Sequence, residues 1–302
     1  MKPIQHHTTR IRGIELHYVE AGEGPLVILL HGFPEFWFSW RHQIQPLADA
    51  GFHVVAPDMR GYNLSGKPKG VHAYHLDELT ADVAALIDHL GYESAHIVAH
   101  DWGAIVAWFF AMWHPERLDH LAILNVPHPR RFLWGMWRPL QILRSWYVFL
   151  FQLPWLPVWA FEAFDFAGLR WAFRNEPLRP DAFSEEEIEA YVEAFRHRGS
   201  MQAGIQYYRS ILYSIPTLVQ RLRQIDAQTL VIWGRHDTHL GNHLAEPYSQ
   251  DVPNLRVEYL EASHWVQIDS FEDVNRMLLE HLAKRRPSDR IPEHKPQSHS
   301  NI

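Results

Sequence analysis

The sequence predicts an α/β protein in which a mostly parallel central sheet carries helices on both faces and a helical lid is inserted late in the series. Three observations predict it. Short apolar runs alternate with amphipathic stretches of helical period as far as residue 126. From Pro127 to Pro216 the alternation stops and the text turns aromatic and helical, with six tryptophans between Trp134 and Trp171. From residue 217 to 284 the alternation returns. The expected organisation is a core of 1–126 and 217–284, a helical cap of 127–216, and a polar, Pro-containing tail of 285–302 expected to be disordered.

The elements follow in order. "IELHYVEAG" and "PLVILLHG" read as strands, Phe38 to Ala50 as a helix, "HVVAPDM" as a strand and Leu76 to Leu90 as an amphipathic helix. "AHIVAHD", a helix from Trp102 to Trp113 without a charged residue, and "HLAILNVP" continue the series. Within the cap, "SEEEIEAYVEAFRH" carries a capping box, Ser184 with Glu187. "QTLVIWGRHD", a short helix, "LRVEYLEASH" and a helix from Ser270 to Lys284 close the core. There is no internal repeat.

Composition excludes several functions. A chain of 302 residues that is 47% hydrophobic can fill a sizeable core. Lysine and arginine total 28 against 35 acidic residues, a net charge of −7, and no basic block marks a nucleic-acid footprint. Nucleic acid is therefore not an expected partner. The absence of cysteine rules out disulfides, thiolate catalysis and cysteine metal sites. The opening "MKPIQHHTTRIRG" lacks the apolar core of a signal peptide, so a cytoplasmic location is expected.

The chemistry concentrates where "AHIVAHDWGAIVAW" turns from strand to helix at Asp101. A residue on such a turn is lifted out at the carboxyl end of the sheet beside the free N–H groups of a helix N-terminus. In the pattern G-x-S-x-G it is a serine; here Ala99-His100-Asp101-Trp102-Gly103 puts a carboxylate there. A carboxylate is ionised at neutral pH without help from a base, and it suits displacement at a saturated carbon with a strained or good leaving group. Epoxides and haloalkanes are such substrates. The resulting ester needs water, a general base, an acid to orient the base, and oxyanion donors. His264 in "EASHWVQID" and Asp237 in "VIWGRHD" supply base and acid in the chain order of this fold. Asn125, at another strand end that can carry the acid, cannot ionise. The backbone N–H groups of Phe33, after "LLHG", and of Trp102 are the expected oxyanion hole, and Pro34 fixes the turn.

At these residues the chain resembles the soluble-type epoxide hydrolases of the α/β-hydrolase fold. "HGFPEFWFSWRHQI", "PDMRGYNLSGKP", "AHDWGAIVAW", "GRHD" and "SHWVQID" carry the resemblance, which covers roughly residues 10–283. It implies that two cap tyrosines hold the epoxide oxygen and protonate it: Tyr147, by its match in "YVFLFQ", and Tyr208, by its match in "YYR". A phenol with pKa near 10 keeps its proton until an alkoxide develops. The resemblance also implies a role for Glu35, with His100 beside the nucleophile, in ordering the hydrolytic water, and contact of Phe33, Pro34 and Trp102 with the substrate. Asn63 departs from the family's usual glycine, but asparagine tolerates positive φ.

Other readings stand beside these. A haloalkane dehalogenase would use the same Asp101, Asp237 and His264, with Trp102 as a halide donor, but Phe33 offers no second side-chain donor and the tyrosines would be idle. A fluoroacetate dehalogenase would need arginines on the helix after Asp101, where the sequence has none. A non-catalytic binding protein on the same fold remains the alternative of another class. His236, His239 and His243 have zinc-like spacing, yet Asp237 already has a role among them, and neither metal nor cofactor is expected. Asp58 in "APDMRG" is read as structural because no base pairs with it in motif order. The expected partners are a hydrophobic epoxide and water. The aromatic run is expected to line the inside of the cap; its Arg130, Arg131, Arg138 and Arg144 leave peripheral membrane contact open, and a homodimer is open as well.

Overall fold

The computed structural model describes residues 3–135 and 137–283, so the tail expected at 285–302 lies outside the described residues. Eight strands form one sheet: β1 (Gln5–Ile11), β2 (Ile14–Ala21), β3 (Leu26–Leu30), β4 (His53–Pro57), β5 (Ala95–His100), β6 (Leu118–Leu124), β7 (Gln228–Gly234) and β8 (Leu255–Leu260). Their order is β1-β2-β4-β3-β5-β6-β7-β8. β1, β2 and β4 pair antiparallel, and every pairing from β4 through β8 is parallel.

The central strands obey the period of two. In β3, Ile28 and Leu30 face one apolar cluster with Ile97 and Ala99 of β5, while Val27 and Leu29 face the other with Val98. The helices Leu76–His89 and Asp101–Trp113 cover the first face through Leu79, Val83, Val106 and Phe110. Arg41–Asp49 and Phe271–Leu282 cover the second through Ile44, Leu47, Val274 and Leu278. A strand buried on both faces reads as an unbroken apolar run, which is why the sequence shows β3 and β5 plainly.

Two things differ from expectation. The strand β1 gave no apolar signal, because "QHHTTRI" is an edge strand with most of its side chains exposed. Its pairing is set by the two-residue turn Arg12-Gly13, both at positive φ, which suits a hairpin. The second concerns the helices between β6 and β7: Pro129–Gly135, Pro139–Arg144, Trp146–Leu150, Leu156–Asn175, which is broken by non-helical backbone at Ala163, Phe164, Asp165 and Phe166, Glu185–Arg196 and Ser200–Gln220. The last runs through Pro216 to Gln220, past the expected boundary at 216. The capping box forms as read, with Glu187 N donating to Ser184 Oγ at 3.2 Å and Ser184 N to Glu187 Oε2 at 2.9 Å. The six tryptophans from Trp134 to Trp171, expected inside, are exposed. Phe132 and Leu133 beside Trp134, and Tyr147 and Val148 beside Trp146, take the inward positions of two short helices, and in Leu156–Asn175 Phe166, Leu169 and Phe173 are buried while Trp159 and Trp171 are exposed.

These helices sit over the carboxyl ends of the parallel strands. Tyr207 Oη donates to the Arg60 carbonyl at 2.7 Å, and Arg41 Nε meets Glu187 Oε1 at 2.5 Å. Phe33 lies edge-on to Phe151, Phe161, Phe195 and Tyr208. Gly204 permits this approach, since a Cβ there would stand 2.8 Å from the Phe33 ring. Among the described residues no helix is long and apolar enough to cross a membrane.

Candidate active site

Asp101 is the first residue of its helix and stands at φ 46°, in the left-handed region, directly after the extended His100. The turn requires small neighbours. A Cβ on Gly32 would come 2.3 Å from the Asp101 Cβ, and one on Gly103 would meet the Leu30 carbonyl oxygen at 2.3 Å. The carboxylate thus lies against the end of β3, where the Phe33 N–H donates to Asp101 Oδ1 at 2.7 Å. Trp102 follows as a residue of the first helical turn, whose amide N–H has no acceptor within the helix.

His264, in the loop after β8, points Nδ1 at Asp237 Oδ2, 2.8 Å away, and Nε2 at Asp101 Oδ2, 3.6 Å away. The second distance is an ion-pair approach rather than a hydrogen bond. Asp237 Oδ1 accepts from the backbone N–H of His239 at 2.7 Å and of Leu240 at 2.8 Å, and Oδ2 also accepts from Asn125 Nδ2 at 2.8 Å. Burial pushes the Asp237 carboxyl up, but the charge of His264 and these donors outweigh it and bring its pKa to about 2. Burial likewise opposes ionisation of Asp101, and contact with His264, the charge of His100 and the Phe33 N–H hold it below the usual carboxylate range. For His264 burial lowers the pKa, and the two carboxylates overcome it and raise it well above the ordinary value. Asn125 does not carry the acid; its amide spans Asp237, the Ser263 carbonyl and the Gly234 N–H.

A cavity of about 150 Å³ opens on Asp101. Its polar wall is Asp101, Tyr147 and Tyr208; the rest is apolar, including Ile105 and Phe109 on the helix after Asp101 and Ile211, Ile215 and Leu218 on the Ser200–Gln220 helix. Burial raises the pKa of both tyrosines, and the charge of Asp101 raises it further. Each therefore remains a protonated donor facing the carboxylate. Trp102 stands edge-on to Tyr208, with ring centroids 4.8 Å apart.

Several expected residues sit elsewhere. Phe33 and Pro34 are not in the cavity wall, because the Phe33 ring is turned into the aromatic cluster beneath the inserted helices. Glu35 is fully buried with both oxygens engaged: Oε2 accepts from Gly32 N at 3.0 Å and meets His100 Nδ1 at 2.8 Å, and Oε1 accepts from Gln267 Nε2 at 3.0 Å. His100 Nε2 reaches the His264 carbonyl at 2.9 Å, so this pair braces the base loop. Asp58 has an imidazole partner that its motif conceals: His17 Nδ1 lies 2.6 Å from Asp58 Oδ2, both buried and outside the cavity wall. Asn63 does adopt positive φ and donates to Asp58 Oδ2 at 2.8 Å. His236, His239 and His243 diverge, the first toward Glu261 and the second toward Glu176.

Two supports were not read from the sequence. Gln267 links Glu35 to the base loop, and Asp269 accepts from the Ser263 N–H at 2.7 Å and from the Leu178 N–H at 3.1 Å. The only available signal was their place in "SHWVQID", three and five residues after His264. The helical spacing of Tyr208, Ile211, Ile215 and Leu218 was the signal for the apolar wall.

Residues 25–271 match the family model for the alpha/beta hydrolase fold. The chain is 39% identical to the AB hydrolase superfamily protein YfhM of Bacillus subtilis, over 93% of this chain and 99% of that protein. It is 37% identical to human Epoxide hydrolase 4, over 90% of this chain and 77% of that protein. Among solved structures it superimposes on an inhibitor complex of a Bacillus megaterium epoxide hydrolase with a TM-score of 0.83 and 32% identity, over 92% of this chain and all of that one. An elbow carboxylate, its imidazole and buried acid, and sequence likeness over nine tenths of the chain agree: the chain belongs to the epoxide hydrolases of the α/β-hydrolase-fold family.

Proposed function

We propose that this protein converts a hydrophobic epoxide and water to a vicinal diol through a covalent ester on Asp101, with the helices between β6 and β7 acting as the cap over the site. The observation that carries the reading is that one small cavity presents an ionised carboxylate opposite two protonated tyrosines in an otherwise apolar wall. Asp101 Oδ1 is held by the Phe33 N–H, which leaves Oδ2 as the attacking atom. As Oδ2 bonds to one ring carbon, the ring C–O bond breaks and its electron pair goes to the epoxide oxygen. That oxygen takes a proton from Tyr147 or Tyr208.

The ester neutralises Asp101, and this changes His264. In the free protein the imidazole faces two carboxylates; with Asp101 esterified only Asp237 remains, so the pKa of His264 falls and a neutral imidazole becomes available as base. It then removes a proton from water, and the hydroxide attacks Cγ of Asp101. The developing oxyanion at Oδ1 is met by the Phe33 and Trp102 N–H groups; on collapse the Cγ–Oδ2 bond breaks, the departing diol oxygen takes the proton from His264, and the proton left on the Asp101 carboxyl returns to the tyrosinate, which restores all three groups. Glu35 and His100 act through the position of the His264 loop. The haloalkane alternative is disfavoured because Phe33 offers no second side-chain halide donor beside Trp102 and the two tyrosines of the cavity wall would have no part in it.

The test is a single turnover of styrene oxide in H₂¹⁸O followed by peptide mass analysis. One ¹⁸O in the Asp101 peptide and ¹⁶O in the diol is the expected result, because water attacks Cγ rather than the epoxide. The Asp101→Asn variant should lose at least about 10⁴-fold in turnover, the scale seen when a covalent nucleophile is removed. Label appearing only in the diol, with sustained turnover by Asp101→Asn, would defeat the reading.

A further inference from the structure

The outer face of the inserted helices is unlike the rest of the surface. Trp134, Trp137, Trp146, Trp155 and Trp159 are each 59–79% exposed, and Phe149 beside them is 58% exposed. Five indoles showing about two thirds of some 200 Å² each present on the order of 700 Å² of aromatic surface, more than a soluble monomer ordinarily leaves in contact with water. The charge pattern is equally one-sided. Between Asp119 and Glu162 the chain has four arginines, Arg130, Arg131, Arg138 and Arg144, and no acidic residue and no lysine, although its net charge is −7. Arg130 is paired with Asp251 at 3.0 Å, whereas among the described residues no carboxylate forms an ion pair with Arg131, Arg138 or Arg144. Arg131 Nε donates to the His243 carbonyl at 3.1 Å, Arg138 N donates to the carbonyl of Gly135, which packs on Leu244, and the Arg144 guanidinium lies against Gly241, so the three are on one side of the molecule.

We propose that this face docks on an anionic bilayer surface, with the indoles at headgroup depth and Arg138 and Arg144 against lipid phosphates. Charge complementarity selects this occupant. The three short helices carry arginines and no carboxylate, so a second copy docked through them would bring arginine against arginine, whereas an anionic leaflet supplies the missing charge. Tryptophan suits that depth, since its ring is apolar and its N–H bonds headgroups. Short helices with indoles on one side and no spanning segment lie on a membrane rather than cross it. The inner sides of the same helices supply Phe132, Leu133, Tyr147 and Val148 to the cavity wall. A lipid-dissolved substrate would therefore travel from bilayer to Asp101 along apolar surface. Docking stands independently of the epoxide reading; this delivery rests on it.

The experiment is co-sedimentation of the full chain with phosphatidylcholine vesicles with and without 30% phosphatidylglycerol, for wild type, Arg138→Glu/Arg144→Glu and Trp137→Ser/Trp155→Ser. Binding to the anionic vesicles is expected to fall at least tenfold in each double variant and to weaken as salt rises, given about fivefold per arginine at such a surface. Turnover of water-soluble styrene oxide should be the same in all three proteins, while turnover of a vesicle-dissolved long-chain epoxide should fall in both variants. Failure to bind either vesicle, equal binding to both, or a vesicle-free dimer that Trp137→Ser/Trp155→Ser dissociates would overturn the proposal. Absence of turnover with both epoxides, alongside intact anionic-vesicle binding, would instead count against the epoxide reading and leave docking supported.

Discussion

Tryptophan does opposite things in two regions of this molecule. In the α/β core Trp40, Trp108 and Trp233 are wholly buried and Trp102 and Trp265 nearly so, whereas every tryptophan from Trp134 to Trp171 stands more than half exposed. The difference follows from what each layer covers. A sheet helix closes against a continuous face whose strands are themselves buried on both sides. The inserted helices cover the strand ends, some of them lining the cavity with their inner sides, and the tryptophans from Trp134 to Trp171 stand on sides that no described residue covers.

Substitutions can break that contrast, beginning with the core. Trp108→Ala should lower stability by about 3–5 kcal/mol, the range for truncating a large buried aromatic, measured as a shift of the urea midpoint at constant slope. A cost below about 1 kcal/mol would mean that the core collapses around the vacancy. Tyr208→Phe probes an inserted-helix residue that does face inward. Turnover of a hydrophobic epoxide should fall about 100-fold, the low end for loss of a positioned acid because Tyr147 remains, with thermal stability unchanged. An unaltered rate would remove Tyr208 from the reaction.

Acid sensitivity belongs to the core end of the comparison. The folded-state pKa of Asp237 is depressed to about 2, so its contribution to stability is complete above about pH 4 and is lost as pH falls toward 2. His264 has the opposite sign: its raised pKa contributes below its ordinary value near 6.5 and is lost as pH rises through the folded-state value. Melting temperature followed from pH 5 to 2 should drop more steeply for wild type than for Asp237→Asn. Parallel curves would show that the acid limb comes from other carboxylates. The smallest effect is expected on the outer face, where Trp137→Ser should change unfolding free energy by less than about 0.5 kcal/mol in the absence of vesicles. A larger loss would mean that the indole packs after all.

The sequence shows the groups proposed to react better than it shows their surroundings. Asp101, Asp237 and His264 each end a strand or open a turn, and motif order on this fold brings strand ends together, so three distant residues could be joined on paper. Tyr147 and Tyr208 came from resemblance, and the cavity wall contains both. What stayed illegible was set by contacts with no local signature. The strand β1 pairs through backbone and a turn, Asp58 finds His17 from β2, and Gln267 and Asp269 act through long-range hydrogen bonds. Aromatic content also says nothing about which side of a short helix faces in. Phe33 and Pro34, expected to touch the substrate, lie outside the cavity wall, because a residue whose N–H meets the Asp101 carboxylate need not turn its ring the same way.

The left-handed backbone at Asp101, with Gly32 and Gly103 pressed against it, decides who can occupy the elbow before any reaction is asked of the occupant. Aspartate and asparagine hold such a φ readily, while β-branched side chains do not. The mount is therefore set by backbone and glycines, and it stands apart from the reaction proposed for the side chain that it carries. It also separates two kinds of knock-out. Under the proposed mechanism Asp101→Asn removes the attacking carboxylate alone, whereas Asp101→Ala adds backbone strain, and only the first isolates the chemistry.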